Sequence, residues 1–302
     1  MKQSILPFAA KLLSTASLCR FSNRKVIHLF YHTVTNEYLP HIHPLYRPKT
    51  VQEFMNDLDY VLKYFEPVSI HDVYLDATQE KRIRKPSFHL SFDDGLREIY
   101  DVACPILYQK GIPCTLFVKS DFVDNRDLFF RYKAAIIISK TKHTELLQIN
   151  YSDRHLIDEM ASELNIDFQD FLKAQRPYLT VEELKSLQQK GFTIGAHSID
   201  HPDFTLLTET EQIAQINQSC DYVQKTFNES RRYFAFPFSD EGIAHPVFKA
   251  IAGNIDLTFG ITGINTEYNG RHIARIDMEK YGKNAKECVN KAYLKCLVKG
   301  NN

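Results

Sequence analysis

Tryptophan is absent from this chain of 302 residues, and so is any excess of charge, since 37 Lys and Arg balance 37 Asp and Glu. A balanced chain carries no electrostatic footprint for a nucleic acid, and none is expected as a partner. Cysteine is sparse: Cys19, Cys104, Cys114, Cys220, Cys288 and Cys296 are scattered, and no two stand in the Cys-x2-Cys spacing of a zinc ribbon. Free thiols in a reducing compartment are the expectation. No apolar run reaches the about 20 residues that a membrane-crossing helix requires. The nearest, residues 5–18, is interrupted by Lys11, and Ile5, Phe8, Leu12 and Ala16 within it fall at helical spacing. That spacing predicts an amphipathic helix packed on the domain, with a weak peripheral membrane contact as the alternative. With no convincing signal peptide, a cytoplasmic location is expected. No repeat or low-complexity linker divides the chain. The expected organisation is a helical extension over residues 1–25 and one domain over 26–302.

What is present is an apolar content of 44%, enough for a sizeable core, with 21 Phe and 16 Tyr able to stack on sugar rings. Short apolar segments alternate with amphipathic ones. Strands are predicted near residues 26–31, 67–70, 87–92, 112–118, 192–194, 233–236, 257–261 and 273–276. Helices between them are announced by capping boxes, in which a Ser or Thr side chain precedes a Glu three residues on. Thr50 with Glu53, Thr180 with Glu183 and Thr208 with Glu211 fit that pattern. Residues 96–110 read as a helix kinked by Pro105. Residues 121–178 break the rhythm and read as a helical insertion. Alternating strands and helices imply a parallel sheet.

Two strand ends carry the chemistry. Ser87 to Phe92 runs into Asp93, Asp94 and Gly95. Neighbouring side chains on an extended chain point different ways, so one carboxylate can hold a metal while the other moves a proton. Phe192-Thr193-Ile194 leads to His197 and His201, whose four-residue spacing lets two imidazoles converge if the turn is helical. Carboxylate oxygen and imidazole nitrogen suit zinc and similar divalent ions. Taken alone, the first stretch also reads as a solvated turn and the second as coincidence; together they make an Asp-His-His site with open positions.

Ser-Phe-Asp-Asp-Gly at 91–95 followed by His-Ser-Ile-Asp-His at 197–201 resembles the first two motifs of the polysaccharide deacetylases, the NodB-homology or carbohydrate esterase family 4 proteins. Tyr-His-Thr-Val at 31–34 resembles the first strand of many members, and the likeness runs from about Val26 to Asp277. It implies a distorted (β/α) barrel of about seven parallel strands. It implies Asp94, His197 and His201 as ligands of a divalent ion, most simply zinc, and Asp93 as catalytic base. It also implies substrate contacts around Pro237 and Phe238, with the Phe238 N–H facing the developing oxyanion.

Two departures from the family pattern stand out. The arginine expected two residues before Pro237 is Ala235, and the late Leu-x-His motif that supplies a general acid is missing. Arg275, in Ile-Ala-Arg-Ile-Asp at 273–277, is the candidate to replace the first. His32 and His272 are candidates by position for the second, with His32 in the substrate cleft. The expected activity is metal-dependent removal of acetyl groups, N- or O-linked, from a sugar or polysaccharide. The alternatives are a deacylase or deformylase of a lipid- or nucleotide-linked sugar, and a silent glycan-binding domain.

Overall fold

The computed structural model describes residues 10–261, 263–267, 270–279 and 284–299, so the first nine residues of the N-terminal extension lie outside the described residues. Strand and helix alternate as the apolar periodicity demands. β1 (Val26–Tyr31) is followed by α2 (Val51–Leu62), after a short N-terminal helix α1 (Thr15–Ser22). Next come β2 (Glu66–Pro67), α3 (Ile70–Ala77), β3 (Ser87–Phe92), α4 (Cys104–Gln109) and β4 (Cys114–Val118). The segment expected as an insertion carries α5 (Phe130–Thr141), α6 (His155–Glu163) and α7 (Phe168–Gln175). The alternation resumes with α8 (Val181–Gln189), β5 (Thr193–Ala196), α9 (Glu209–Phe227), β6 (Tyr233–Ala235), α10 (His245–Ile251) and β7 (Leu257–Gly260). It ends with β8 (Thr266–Glu267), β9 (His272–Ala274), β10 (Ile276–Asp277) and α11 (Ala285–Lys299).

All three expected capping boxes form, at Thr50–Glu53, Thr180–Glu183 and Thr208–Glu211. A fourth, Ser69 with Asp72, starts α3 at Ile70, a residue expected to end a strand. Local donors and acceptors outrank the β propensity of Val68 and Ile70 there. The helix expected over 96–110 is split: residues 99–103 form a π-turn before Pro105, which sits in the first turn of α4. Proline cannot donate back to the preceding turn, and the wider turn absorbs the missing bond. All six cysteines are free and buried.

The strands are ordered β10-β1-β3-β4-β5-β6-β7-β9-β8, parallel throughout except for β8 on β9. β9 and β10 are two halves of one line of chain, parted only at Arg275. β9 pairs with β7, Thr258 opposite His272, while β10 pairs with β1, Leu29 opposite Ile276. That last line therefore touches both margins of the sheet and closes it into a distorted (β/α) barrel. Inside, Phe117, Tyr233, Leu257, Phe259 and Ile273 pack together, and Ile70, Val73 and Tyr74 of α3 complete this cluster. A larger apolar layer joins the other helices to the strands. Gly195 of β5 is dictated by this filling, since a Cβ there would stand 2.6 Å from the Phe117 ring.

Candidate active site

β3 ends where Asp93 N–H donates to the Tyr31 carbonyl at 3.0 Å. The chain then turns left-handed at Asp94 (φ 74°) and Gly95 (φ 66°). Positive φ recurs at Ser198 (68°), His201 (60°) and Phe238 (54°), all beside the same cleft. Conformations this costly for side-chain-bearing residues cluster where function holds them.

Asp93 is 2% exposed and meets the Arg275 guanidinium two-pronged, with Nη1 to Oδ1 at 2.7 Å and Nη2 to Oδ2 at 2.8 Å. Arg275 is wholly buried, donates also to Ser91 Oγ and to the Gly260 carbonyl, and lies over the Phe30 ring at 4.4 Å. Burial by itself would push the Asp93 carboxyl up, but the guanidinium, and then His197, outweigh it and hold it below its ordinary value. The charge that the Ala235 position lacks thus arrives from the barrel seam.

Asp94 is held otherwise. Its Oδ2 accepts the Tyr132 hydroxyl. Its Oδ1 is buried with no hydrogen bond, 3.2 Å from Lys119 Nζ, 3.6 Å from His197 Nε2 and 3.5 Å from His201 Nε2. Burial is again overcome, here by Lys119 first, and the carboxyl is held far below the usual carboxylate range. His197 Nδ1 lies 2.8 Å from the Ala235 carbonyl, which can only accept, so Nδ1 carries the proton and the Nε2 lone pair faces Asp94. His201 stands edge-on between Phe129 and Phe238, each with its ring centre 4.6 Å away. Burial lowers the pKa of both imidazoles and favours the neutral form that a metal takes.

One ligand atom from each of Asp94, His197 and His201 lies within 4.8 Å of the others. An unsatisfied carboxylate oxygen facing two neutral imidazoles fits a zinc-like divalent ion, and the cleft leaves its other side open.

Lys119, one residue past β4, was not singled out from the sequence. It is 1% exposed and boxed by the rings of Phe122, Phe129, Tyr132 and Tyr178, the nearest centroid at 4.6 Å. Thr115, Phe117 and Lys119 alternate on one face, and that period-2 placement was the available signal. Fixed on the same oxygen that faces the histidines, its ammonium opposes a second cation. Lys119→Met should therefore tighten divalent-metal binding at least tenfold by chelator competition and enlarge the metal-induced rise in melting temperature. Unchanged or weaker binding would show that the lysine only packs.

His32 Nδ1 lies 2.6 Å from Glu279 Oε2, which also accepts the His32 N–H. Burial would depress the imidazole, but Glu279 outweighs it, with Asp94 and Asp93 adding to the effect, and its pKa is raised to about 10. His32 lines a cleft of about 450 Å³ with Asp93, Asp94, His197, His201, Tyr46, Phe236 and Phe238. Phe129, Arg131, Tyr132 and Leu147 of the inserted segment form another part of its wall. Pro237 is buried and does not itself line the cleft, because its ring turns the chain between two phenylalanines that do. His272 is elsewhere, held by Asp240 at 3.0 Å and Thr258 at 2.9 Å, and does not join the site.

A parallel barrel with its reactive side chains gathered at the C-terminal ends of β1, β3, β5 and β6 is built as barrel enzymes are built. The chain belongs to the polysaccharide deacetylase family, whose sequence model matches residues 80–258, more than half of it. A curated relative from Bacillus subtilis, named "Putative polysaccharide deacetylase YxkH", is 20% identical over 173 residues, 57% of this chain and 44% of its own. The chain thus spans less than half the length of that relative. Among solved structures, Streptococcus pyogenes deacetylase PplD superimposes with a TM-score of 0.60 at 18% identity, over 86% of this chain and 96% of PplD. IcaB from Ammonifex degensii gives 0.61 at 14% identity, over 89% and 97%. At such identities these likenesses establish the fold.

Proposed function

We propose that this chain is a divalent-metal-dependent hydrolase that removes acetyl groups from a glycan, the activity for which its family is named. The observation that carries the reading is the pair of adjacent carboxylates held in different ways: Asp93 on Arg275, Asp94 facing two neutral imidazoles. Asp94, His197 and His201 would hold the ion. Such an ion polarises a carbonyl and makes water a nucleophile near neutral pH.

The remaining work falls to the chain itself. Asp93 keeps a lone pair on each oxygen beyond the two bonds from Arg275, and one of these takes the proton of the attacking water. The Phe238 backbone N–H, at a left-handed turn on the cleft wall, would donate to the oxyanion. As the carbon–nitrogen or carbon–oxygen bond breaks, the leaving atom needs a proton. His32 is placed to give it, because it lies on the cleft wall against Glu279, whose carboxylate favours the protonated imidazole. Acetate and the free amine or hydroxyl depart.

Acetate release from acetylated glycans, with zinc, cobalt, nickel and manganese offered in turn, tests this, and no release from any amide or ester under any of these ions would sink it. The pH profile tests the acid. His32 is charged below its folded pKa and neutral above it, so activity should fall on the alkaline side. Glu279→Gln removes the strongest influence holding the proton and should move that limb at least one pH unit lower. A limb that stays put would free His32 of the role.

A further inference from the structure

Arg131 is the one lysine or arginine among the described residues that line the cleft. It stands on α5, half-buried. Its guanidinium carbon lies 5.1 Å from the Phe238 ring centre and 5.5 Å from that of Phe130. Nη1 makes one long bond, 3.5 Å, to the Leu147 carbonyl, and Nε is buried with no partner. The other cations around the site are matched: His32 by Glu279, Lys119 by Asp94, Arg275 by Asp93. No carboxylate among the described residues stands at ion-pair distance from Arg131; Asp203 acts on it only from farther away. A half-buried cation without a counter-ion costs stability, and an unsatisfied donor in a cleft wall invites a ligand atom.

We infer that Arg131 binds an anionic group of the substrate, and so that the preferred substrate is an acetylated sugar bearing a carboxylate or phosphate on the reacting residue or the one beside it. The inference rests on the deacetylase reading and deepens it. A guanidinium offers a planar fork of donors that matches either anion two-pronged, which an ammonium cannot do. The fork stands 5.1 Å from the ring of Phe238, the residue whose N–H is assigned to the oxyanion. Anion and acetyl group would then be held a short distance apart, within one or two sugar units.

The test compares N-acetylglucosamine 1-phosphate, a glucuronic acid–N-acetylglucosamine disaccharide and neutral N,N′-diacetylchitobiose on the metal-loaded full chain. At least one anionic sugar should show a KM at least tenfold below that of the neutral disaccharide, with the ratio shrinking as salt rises. In R131Q the ratio should collapse toward one, while R131K should keep part of it. Which anion shows the ratio separates phosphate from carboxylate. Equal KM values for all three, or a ratio that R131Q leaves intact, would overturn the inference while acetate release still upheld the deacetylase reading. Calorimetry with the deacetylated sugars covers the converse case. Arg131-dependent binding without acetate release from any substrate would sustain the anion site and sink the reaction, and absence of both acetate release and any binding difference between R131Q and the parent would end both.

Discussion

Asp93→Asn should bind metal as the parent chain does and lose at least a hundredfold in turnover. Asparagine keeps the size of the side chain and one acceptor for the Arg275 fork, but it cannot take a proton. General-base catalysis is worth about 10²–10⁴ in rate. Asp94→Asn should do the opposite: weaken metal binding, with activity partly restored by excess metal. His197→Ala and His201→Ala should follow Asp94→Asn. Metal titrations beside steady-state rates separate the two behaviours, and metal lost from Asp93→Asn but kept by Asp94→Asn would mean the pair is assigned the wrong way round.

Arg275→Ala should be the most destabilising single change at the site. It leaves a carboxylate that is 2% exposed without its partner, and breaking one side of a buried pair typically costs about 3–5 kcal/mol. In a chain of this size that is roughly 5–8 °C in melting temperature. The sign of the pH dependence follows from the Asp93 carboxyl, held below its ordinary 3.8 in the fold. Its contribution is fully present above that value and is lost as pH falls through the folded one. Without Arg275 burial is far less opposed, the carboxyl moves up, and acid unfolding should begin at a higher pH. Thermal melts of both proteins from pH 3 to 7 would show it. A melting temperature within 2 °C of the parent would mean that the seam tolerates an uncompensated charge and that this account of its energetics is mistaken.

What could be read without coordinates was local or periodic. Capping boxes announce themselves within four residues, and the Thr50, Thr180 and Thr208 boxes all formed. The Ser69–Asp72 box is equally local, with an aspartate where the other boxes carry glutamate. The two strand-end motifs were visible because each is contiguous in sequence. Lys119 and Tyr132 are not contiguous with anything they serve; their meaning lies in reaching Asp94 across the barrel mouth. Glu279 belongs to no motif, and only the closing of β10 beside β1 brings it to His32. Arg275 lay between these cases. Its position suggested a role, but the two-pronged geometry belongs to the seam. The division is physical: periodicity reports which face a side chain occupies, whereas pairing across strands depends on register.

The seam also sets an order of events in the life of the chain. Asp94, His197 and His201 all leave the ribosome ahead of residue 202, and the family-matched segment ends at residue 258. Arg275 and Glu279 come later, on the line of chain that joins β7 to β1. A nascent chain therefore possesses Asp94, His197 and His201 while Asp93 still has no counter-charge and His32 no acidic partner. On the reading proposed above, the three ligands would be made before the base and the acid are complete, and the final strand would be the arming step.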